Sequence, residues 1–248
     1  MIKRTFDFVV STVVILLLSP VFLLTMLAVW LQDFQNPFYV PLRMGRGMKP
    51  FKMYKFRSMV VNADKQGGTS TSSNDMRVTG IGKIIRRFKL DELSQLINVF
   101  LGDMSLVGPR PQVISHVNDC YTEQEKHLLD VRPGITDISS IVFSDEGDIL
   151  KDTPDPDLGY NQLIRPWKSK LGIFYINHQS FLLDFKLIML TVVAIISKDD
   201  ALKSINKILI QLKAEQEIIE VAKRKNKLVP TPPPGSSSVI TNPDGRIN

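Results

Sequence analysis

Cysteine is almost missing from this chain. Its 248 residues hold one, Cys120, so no internal disulfide can form and a reducing compartment is the better fit. Histidine is scarce too. His116, His127 and His178 lie far apart, and with one cysteine they leave no ligand set for zinc. Glycine-rich phosphate loops are also lacking. There is no P-loop, and Gly45-Arg46-Gly47 and Gly80-Ile81-Gly82 lack the third glycine of a dinucleotide fingerprint. No internal repeat is present. The most telling absence is charge: residues 8–31 run for 24 positions without any.

A helix of that length extends about 36 Å, enough to cross a bilayer. A signal peptide would need a small-residue cleavage site, and Gln32-Asp33-Phe34-Gln35 is a poor one. Ser19-Pro20 interrupts the run near its middle. Pro20 has no N–H and its ring meets the carbonyl of Leu16, which predicts a kink or break. Lys3 and Arg4 precede the run, and Arg43, Arg46, Lys49, Lys52, Lys55 and Arg57 follow it. Positive charge marks the cytoplasmic side, and here it marks both ends. A helix-break-helix that enters and leaves by one face satisfies that rule. A kinked spanning helix is the alternative.

Charge is present elsewhere, and unevenly. The net charge is +6, but residues 43–89 hold 12 basic residues against two acids, and the remainder of the chain is net acidic. A local basic patch calls for a local anion: a phosphate, an acidic membrane surface or nucleic acid. The patch ends in Arg86-Arg87-Phe88-Lys89-Leu90-Asp91-Glu92. Asp91 and Glu92 fall in the first turn of an expected helix, where bare N–H groups lower a carboxylate's pKa. The plain reading is that they complement the helix dipole. In basic surroundings, two acids can also hold Mg²⁺ while the bases hold phosphates, or one acid can attack phosphorus. Arg110 sits between Pro109 and Pro111, which presents its planar fork at low entropic cost for a bidentate phosphate contact; the alternative is an arginine in a surface turn. Lys55 and Arg57 read as phosphate or lipid-headgroup contacts, or as a solvated strand face.

The remaining signals are local. Residues 36–59 alternate weakly around Gly45-Arg46-Gly47 and Lys49-Pro50, which predicts a small hairpin. Residues 67–74 (GGTSTSSN) read as a polar, mobile loop. A short basic helix is expected over residues 81–88. Leu93, Leu96, Ile97, Phe100 and Leu101 give the apolar face of the next helix, which Gly102-Asp103 ends. Residues 181–197 are apolar but broken by Asp184 and Lys186, which suits an interfacial or buried helix. Ile205, Ile208, Leu209, Leu212 and Ile219 predict a final amphipathic helix, and residues 228–248 a disordered tail.

Several stretches together carry a resemblance: Lys3-Arg4 with Asp7, Ser19-Pro20, residues 54–59 (YKFRSM), 75–79 (DMRVT), Leu90-Asp91-Glu92-Leu93, 98–111 (NVFLGDMSLVGPRP) and 132–136 (RPGIT). In this order the chain resembles the bacterial monotopic polyprenyl-phosphate phosphoglycosyl transferases, the bacterial sugar transferases. The resemblance implies a re-entrant membrane helix broken at Ser19 and Pro20. It also implies transfer of a sugar-1-phosphate from a UDP-sugar to a polyprenyl phosphate at the cytoplasmic face of the bacterial inner membrane, with UMP released and Mg²⁺ required. It places the nucleophile on Asp91, a metal-binding acid on Glu92, a phosphate contact on Arg110 and further contacts on Arg86 and Arg132. Two departures stand out. Ser94 replaces the usual proline after Asp-Glu-Leu, which loosens the helix start. Residues 137–140 (DISS) stand where many members carry a tryptophan motif, a difference that bears on substrate identity.

The expected fold is α+β and mainly helical. It has a re-entrant helix-break-helix over residues 1–35, then a catalytic domain over 36–200 with a small β-hairpin and amphipathic interfacial helices. An amphipathic helix over 201–227 and a disordered tail over 228–248 complete it. Two readings compete with the enzyme: a non-catalytic protein whose patch binds anionic lipid or a partner, and a nucleic-acid binder. The apolar segment and the acidic remainder argue against nucleic acid.

Overall fold

A computed structural model describes residues 2–63, 75–151 and 153–246. The polar loop 67–74 lies outside the described residues. Two helices open the chain, α1 (Ile2–Leu17) and α2 (Ser19–Asp33), bent by 64° at Leu18. Pro20 cannot donate to the carbonyl of Leu16, and the Ser19 hydroxyl takes that carbonyl instead at 2.8 Å. At about 1.5 Å per residue, neither arm covers the roughly 30 Å of a hydrocarbon core. No single helix among the described residues is long and apolar enough to cross a membrane; this bent pair passes only when taken together.

The two helices bury little of their apolar surface. In α1 the buried residues are Asp7 and Ser11, whereas Phe8, Val9, Val13, Leu16 and Leu17 are exposed. Polar groups on the inner face dock the helix. Asp7 accepts from the Ser105 hydroxyl at 2.8 Å and from the Leu106 N–H at 3.1 Å. Lys3 reaches Asp184 at 2.5 Å and the Val107 carbonyl at 2.9 Å. Arg4 donates to the carbonyls of Val99 and Phe100.

Three two-stranded sheets follow, none of them wide. β1 (Phe38–Tyr39) pairs antiparallel with β4 (Lys55–Phe56), and β2 (Leu42–Met44) forms the expected hairpin with β3 (Pro50–Lys52). β5 (Ser105–Val107) pairs in parallel with β6 (Gly134–Thr136). A Cβ on Gly134 would lie 2.1 Å from the Gly108 nitrogen, so only glycine admits this approach.

Helices supply the rest. α3 (Gly80–Arg87) is capped by Thr79 and ends at Lys89, which is left-handed at φ 56°. That reversal starts α4 (Leu90–Leu93), and α5 (Leu96–Leu101) follows after a break at Ser94-Gln95. The single helix expected from Leu90 is therefore two, and its apolar face is divided between the core and the outer surface. Leu96, Asn98 and Val99 are buried, and Phe100 faces outward to stack on Phe8 at 5.0 Å. Between β5 and β6 run α6 (Ile114–Cys120) and α7 (Glu123–Lys126). After β6 come α8 (Ile138–Val142), α9 (Glu146–Leu150), α10 (Pro156–Gly159), a π-helical turn at Tyr160–Ile164 and α11 (Arg165–His178). Leu171, Phe174 and Tyr175 of α11 pack with Ile138, Ile141 and Val142 of α8 in the main core.

α12 (Phe181–Ile196) sets Leu183, Asp184 and Leu187 inward and leaves Leu182, Phe185, Met189, Val192, Ile195 and Ile196 exposed. The predicted last helix is two: α13 (Lys198–Gln211) and α14 (Gln216–Ala222), separated where Lys213 turns left-handed at φ 55°. The predicted disordered tail also needs correction. Residues 228–246 run as irregular, turn-containing chain against the body, with Ile240 buried. Carbonyl groups of Pro234, Ile240 and Pro243 accept side-chain hydrogen bonds from the body, which composition alone does not reveal.

The Asp7 contacts carry a stability prediction. Asp7→Leu leaves the buried Leu106 N–H and Ser105 hydroxyl unpaired, at a cost of about 1–3 kcal/mol. Thermal unfolding of the detergent-solubilised protein reads this directly, and Asp7→Asn should fall between the two.

Candidate active site

Asp91 and Glu92 sit on a turn held from beneath. The buried Ser94 hydroxyl donates to the carbonyls of Tyr54 and Asp91, each at 3.1 Å. Buried Asn98 accepts from the Tyr54 N–H at 2.9 Å and donates to the Lys52 carbonyl at 2.6 Å. These bonds fix the acid turn to the strand that carries Lys55. Ser94, expected to loosen this turn, braces it instead.

The Gly108-Pro109-Arg110-Pro111 loop arrives from the other side. Gly134 N–H donates to the Pro109 carbonyl and Met44 N–H to the Gln112 carbonyl, both at 2.9 Å. Arg110 then reaches Glu92 with one nitrogen, Nη2 to Oε1, at 2.6 Å. Among the described residues its Nη1 and Nε have no hydrogen-bond acceptor, so most of the fork stays open.

The electrostatics divide the two acids. Burial alone would raise Glu92, but Arg110, Lys55 and Lys89 outweigh it and hold the carboxyl at about 2. Asp91 is raised, first by burial and then by Glu92, against the pull of Lys55, Arg110 and Arg86. The expected lowering by a helix dipole is thus overturned: α4 is a single turn, and desolvation dominates. Among the described residues no donor or ion partner engages the Asp91 carboxylate. Lys55 is lowered to about 8, by burial and then by Arg110, with Glu92 and Asp91 opposing.

Of the residues singled out in the sequence, the structure gathers Asp91, Glu92, Arg110, Lys55 and Arg86. Arg86 also donates to Ser58 at 2.9 Å. Two others stand apart. Arg57 is buried and bound to Asp33 by both terminal nitrogens, at 2.5 and 2.6 Å, so it ties α2 to β4 and is not free for a phosphate. Arg132 donates to the Gly102 carbonyl at 2.8 Å and braces the end of α5. Ser19 and Pro20 lie at the bend between α1 and α2. Asp137, in the divergent 137–140 stretch, caps α8 through the Ser140 N–H at 2.7 Å and is a structural group.

Two site residues gave no sequence signal, and a third, Arg43, was counted only as part of the basic patch. Arg43 lies beside Arg110, lowered chiefly by burial. Lys168 of α11 pairs with Glu146 of α9, and Glu146 further favours the charged form of Arg110. They extend the basic cluster inward to a small polar cavity lined by Arg110, Gln112, His116, Tyr160 and Lys168. Only the fold brings these segments together.

A divalent cation fits the donor set. Asp91 and Glu92 offer hard carboxylate oxygens, three of them without a hydrogen-bond donor among the described residues. No cluster of three or more candidate ligands occurs among those residues. Magnesium tolerates that poverty, because it takes one or two carboxylates and completes its shell with water and phosphate.

Comparison with known proteins settles the lineage. The bacterial sugar transferase family model matches residues 1–198. The chain belongs to this family. A Bacillus subtilis (strain 168) protein named as an uncharacterized sugar transferase, EpsL, is 34% identical over 191 residues, covering 77% of this chain and 85% of that one. An Aeromonas hydrophila UDP-N-acetylgalactosamine-undecaprenyl-phosphate N-acetylgalactosaminephosphotransferase is 35% identical, covering 70% of this chain and 42% of that one. The Escherichia coli (strain K12) UDP-glucose:undecaprenyl-phosphate glucose-1-phosphate transferase is 36% identical, covering 77% and 39%. The chain therefore spans less than half the length of the Aeromonas hydrophila and Escherichia coli relatives. Within this bacterial sugar transferase, the Asp91–Glu92 turn and the Arg110 loop lie inside the matched region.

Lys55 gives a pH prediction. Its charged form exists below about pH 8, so affinity for a diphosphate should be complete below that value and fall as pH rises through it. Calorimetry with UDP from pH 7 to 10 should show a loss approaching about tenfold per pH unit. Lys55→Arg should move the loss to higher pH.

Proposed function

We propose that this protein transfers a sugar-1-phosphate from a UDP-sugar to a polyprenyl phosphate, undecaprenyl phosphate being the acceptor named for its relatives. The observation that carries the reading is the split acid pair. Asp91 is unpartnered and raised in pKa, and Glu92 is held anionic against Arg110. Two adjacent carboxylates with diverging proton affinities take different roles. The more basic one is the better nucleophile, and the other is the fixed charge.

The Asp91 carboxylate attacks the sugar-bearing phosphorus. The bond to the UMP oxygen breaks, UMP leaves, and a sugar-phosphoryl aspartate remains. An oxygen of the polyprenyl phosphate then attacks the same phosphorus and returns Asp91 as a carboxylate. The open face of the Arg110 fork, with Lys55 and Arg86, gathers the negative charge that grows on the phosphoryl oxygens. Asp91 and Glu92 would hold a magnesium ion, which would supply Lewis-acid neutralisation of the diphosphate.

The exposed apolar surfaces of α1, α2 and α12 support attachment to the membrane that holds such an acceptor. The 64° bend and the basic charge at both ends support a re-entrant α1–α2 pair, with the site on the cytoplasmic face. Cysteine labelling in intact cells near Lys3 and near Lys49 should find neither end accessible from outside. External reaction at one end would establish a spanning helix.

The reaction is tested by intact-protein mass. After incubation with UDP-sugar and Mg²⁺, without polyprenyl phosphate, the protein should gain one sugar-phosphate, mapped to Asp91, with stoichiometric UMP release. Asp91→Asn should show neither, because an amide is a poor nucleophile. Undiminished turnover in that variant would refute the covalent role, and a wild-type protein that never releases UMP would favour a lipid-binding role for the patch.

A further inference from the structure

The family match ends at residue 198, yet the chain continues and its last stretch returns to the back of the phosphate site. Residues 228–246 stitch together two walls there. On one wall is the π-helical turn Tyr160–Ile164. The Gln162 carbonyl accepts from the Thr231 N–H at 3.0 Å, Gln162 Nε2 donates to the Ile240 carbonyl at 2.7 Å, and Asn161 Nδ2 donates to the Pro243 carbonyl at 3.0 Å. On the other wall, Thr122 donates to the Pro234 carbonyl and the Cys120 thiol to the Asp244 carbonyl at 3.1 Å.

Arg165 lies where the walls meet, and it is fully buried. Glu125 takes its Nε at 3.0 Å and its Nη2 at 2.7 Å. The Gly245 carbonyl takes Nη1 at 2.8 Å. Without that carbonyl, Nη1 keeps only a 3.4 Å contact to Asn161. A buried guanidinium with an unmet donor is costly, so the tail completes the solvation of this cation. Gly245 is built for the contact: φ is +85°, and a Cβ there would come 2.7 Å from Asn161 Oδ1.

The route to the active site is short. Arg165 opens α11, and Lys168 lies one turn further on. Lys168 pairs with Glu146, packs over the Tyr160 ring at 5.5 Å and lines one small cavity together with Arg110. We propose that residues 228–246 form a positioning strap. It sets the π-helical turn and Arg165, and through them the Lys168–Glu146 pair that backs Arg110. The strap touches no reacting atom. Its kinetic consequence rests on the transferase reading above; its docking does not.

Three proteins test it: the full chain, the chain ended after Lys227, and full-length Gly245→Val. The first readout is alkylation of Cys120, the only thiol, which the Asp244 carbonyl covers. Both variants should react about tenfold faster or more, as expected for a locally opened segment. The second readout is Mg²⁺-dependent UMP release. Its kcat should fall about 10- to 100-fold, the scale of a small misplacement, while cooperative unfolding and membrane attachment persist. Adding a peptide of residues 228–248 to the shortened chain should restore part of the rate. In a Lys168→Met background, removing the strap should cost little more, because both changes act on one route. If the shortened chain does not fold, Gly245→Val decides. Unchanged thiol reactivity would overturn the docking, and faster alkylation with full turnover would overturn the positioning role. Losses that simply add to Lys168→Met would overturn the route. A full chain that alkylates slowly but releases no UMP would overturn the transferase reading, and the positioning role with it.

Discussion

One ion pair holds the site together. Glu92 and Arg110 meet at 2.6 Å, and each comes from a segment with its own scaffold. The acid turn is fastened to the hairpin region by Ser94 and Asn98, and the Pro-Arg-Pro loop is fastened to β2 and β6. Such a pair is worth little as stabilisation where solvent reaches it. Its value lies in orientation and charge. It commits Glu92 to the anionic state and points Arg110 at the acids with most of its donors unused. It also leaves Asp91 as the acid without a partner, with burial raising its proton affinity. The divergence of two neighbouring carboxylates, one paired and held anionic and the other raised in proton affinity, follows largely from this one contact.

The N-terminal helix pair depends on an inversion. A helix on a soluble domain buries apolar groups and exposes polar ones. α1 buries Asp7 and Ser11 and exposes phenylalanine, valine and leucine. Its docking to the body is made by hydrogen bonds and ion pairs, which are strongest where water is excluded. Lys3, Asp184 and Tyr175 form one such cluster, with Tyr175 donating to Asp184 at 2.6 Å. The outer surface then continues from α1 to α12 through the Phe6–Phe181 contact, with ring centroids 5.0 Å apart.

Local signals carried much of this into the sequence. The break at Ser19-Pro20, the hairpin and the acid pair beside a basic run all depend on neighbours along the chain, and each is readable there. Arg110 is readable because two prolines flank it. Arg57 was misleading because its partner, Asp33, lies across a turn that charge counting cannot see. Lys168 and Glu146 were silent for a related reason: each is an ordinary surface-type residue until α9 and α11 bring them behind Arg110. The tail misled through composition. Proline and serine argue against a self-sufficient core, but they do not prevent irregular chain from docking on a core built by others. Its carbonyls find donors on Gln162, Asn161 and Arg165, residues far away in sequence.

The Arg57–Asp33 clasp has a mechanical meaning. Asp33 is the last residue of α2, and Arg57 directly follows β4, two places after Lys55. Arg57 Nε also holds the Asn36 carbonyl at 2.9 Å, so the whole exit from α2 is bolted to that strand. The position of the apolar α2 arm and the height of Lys55 therefore cannot vary independently. The clasp works as a fixed spacer: were α1 and α2 to rest in a bilayer, as proposed above, Lys55 and Asp91 would stand at one set elevation above it.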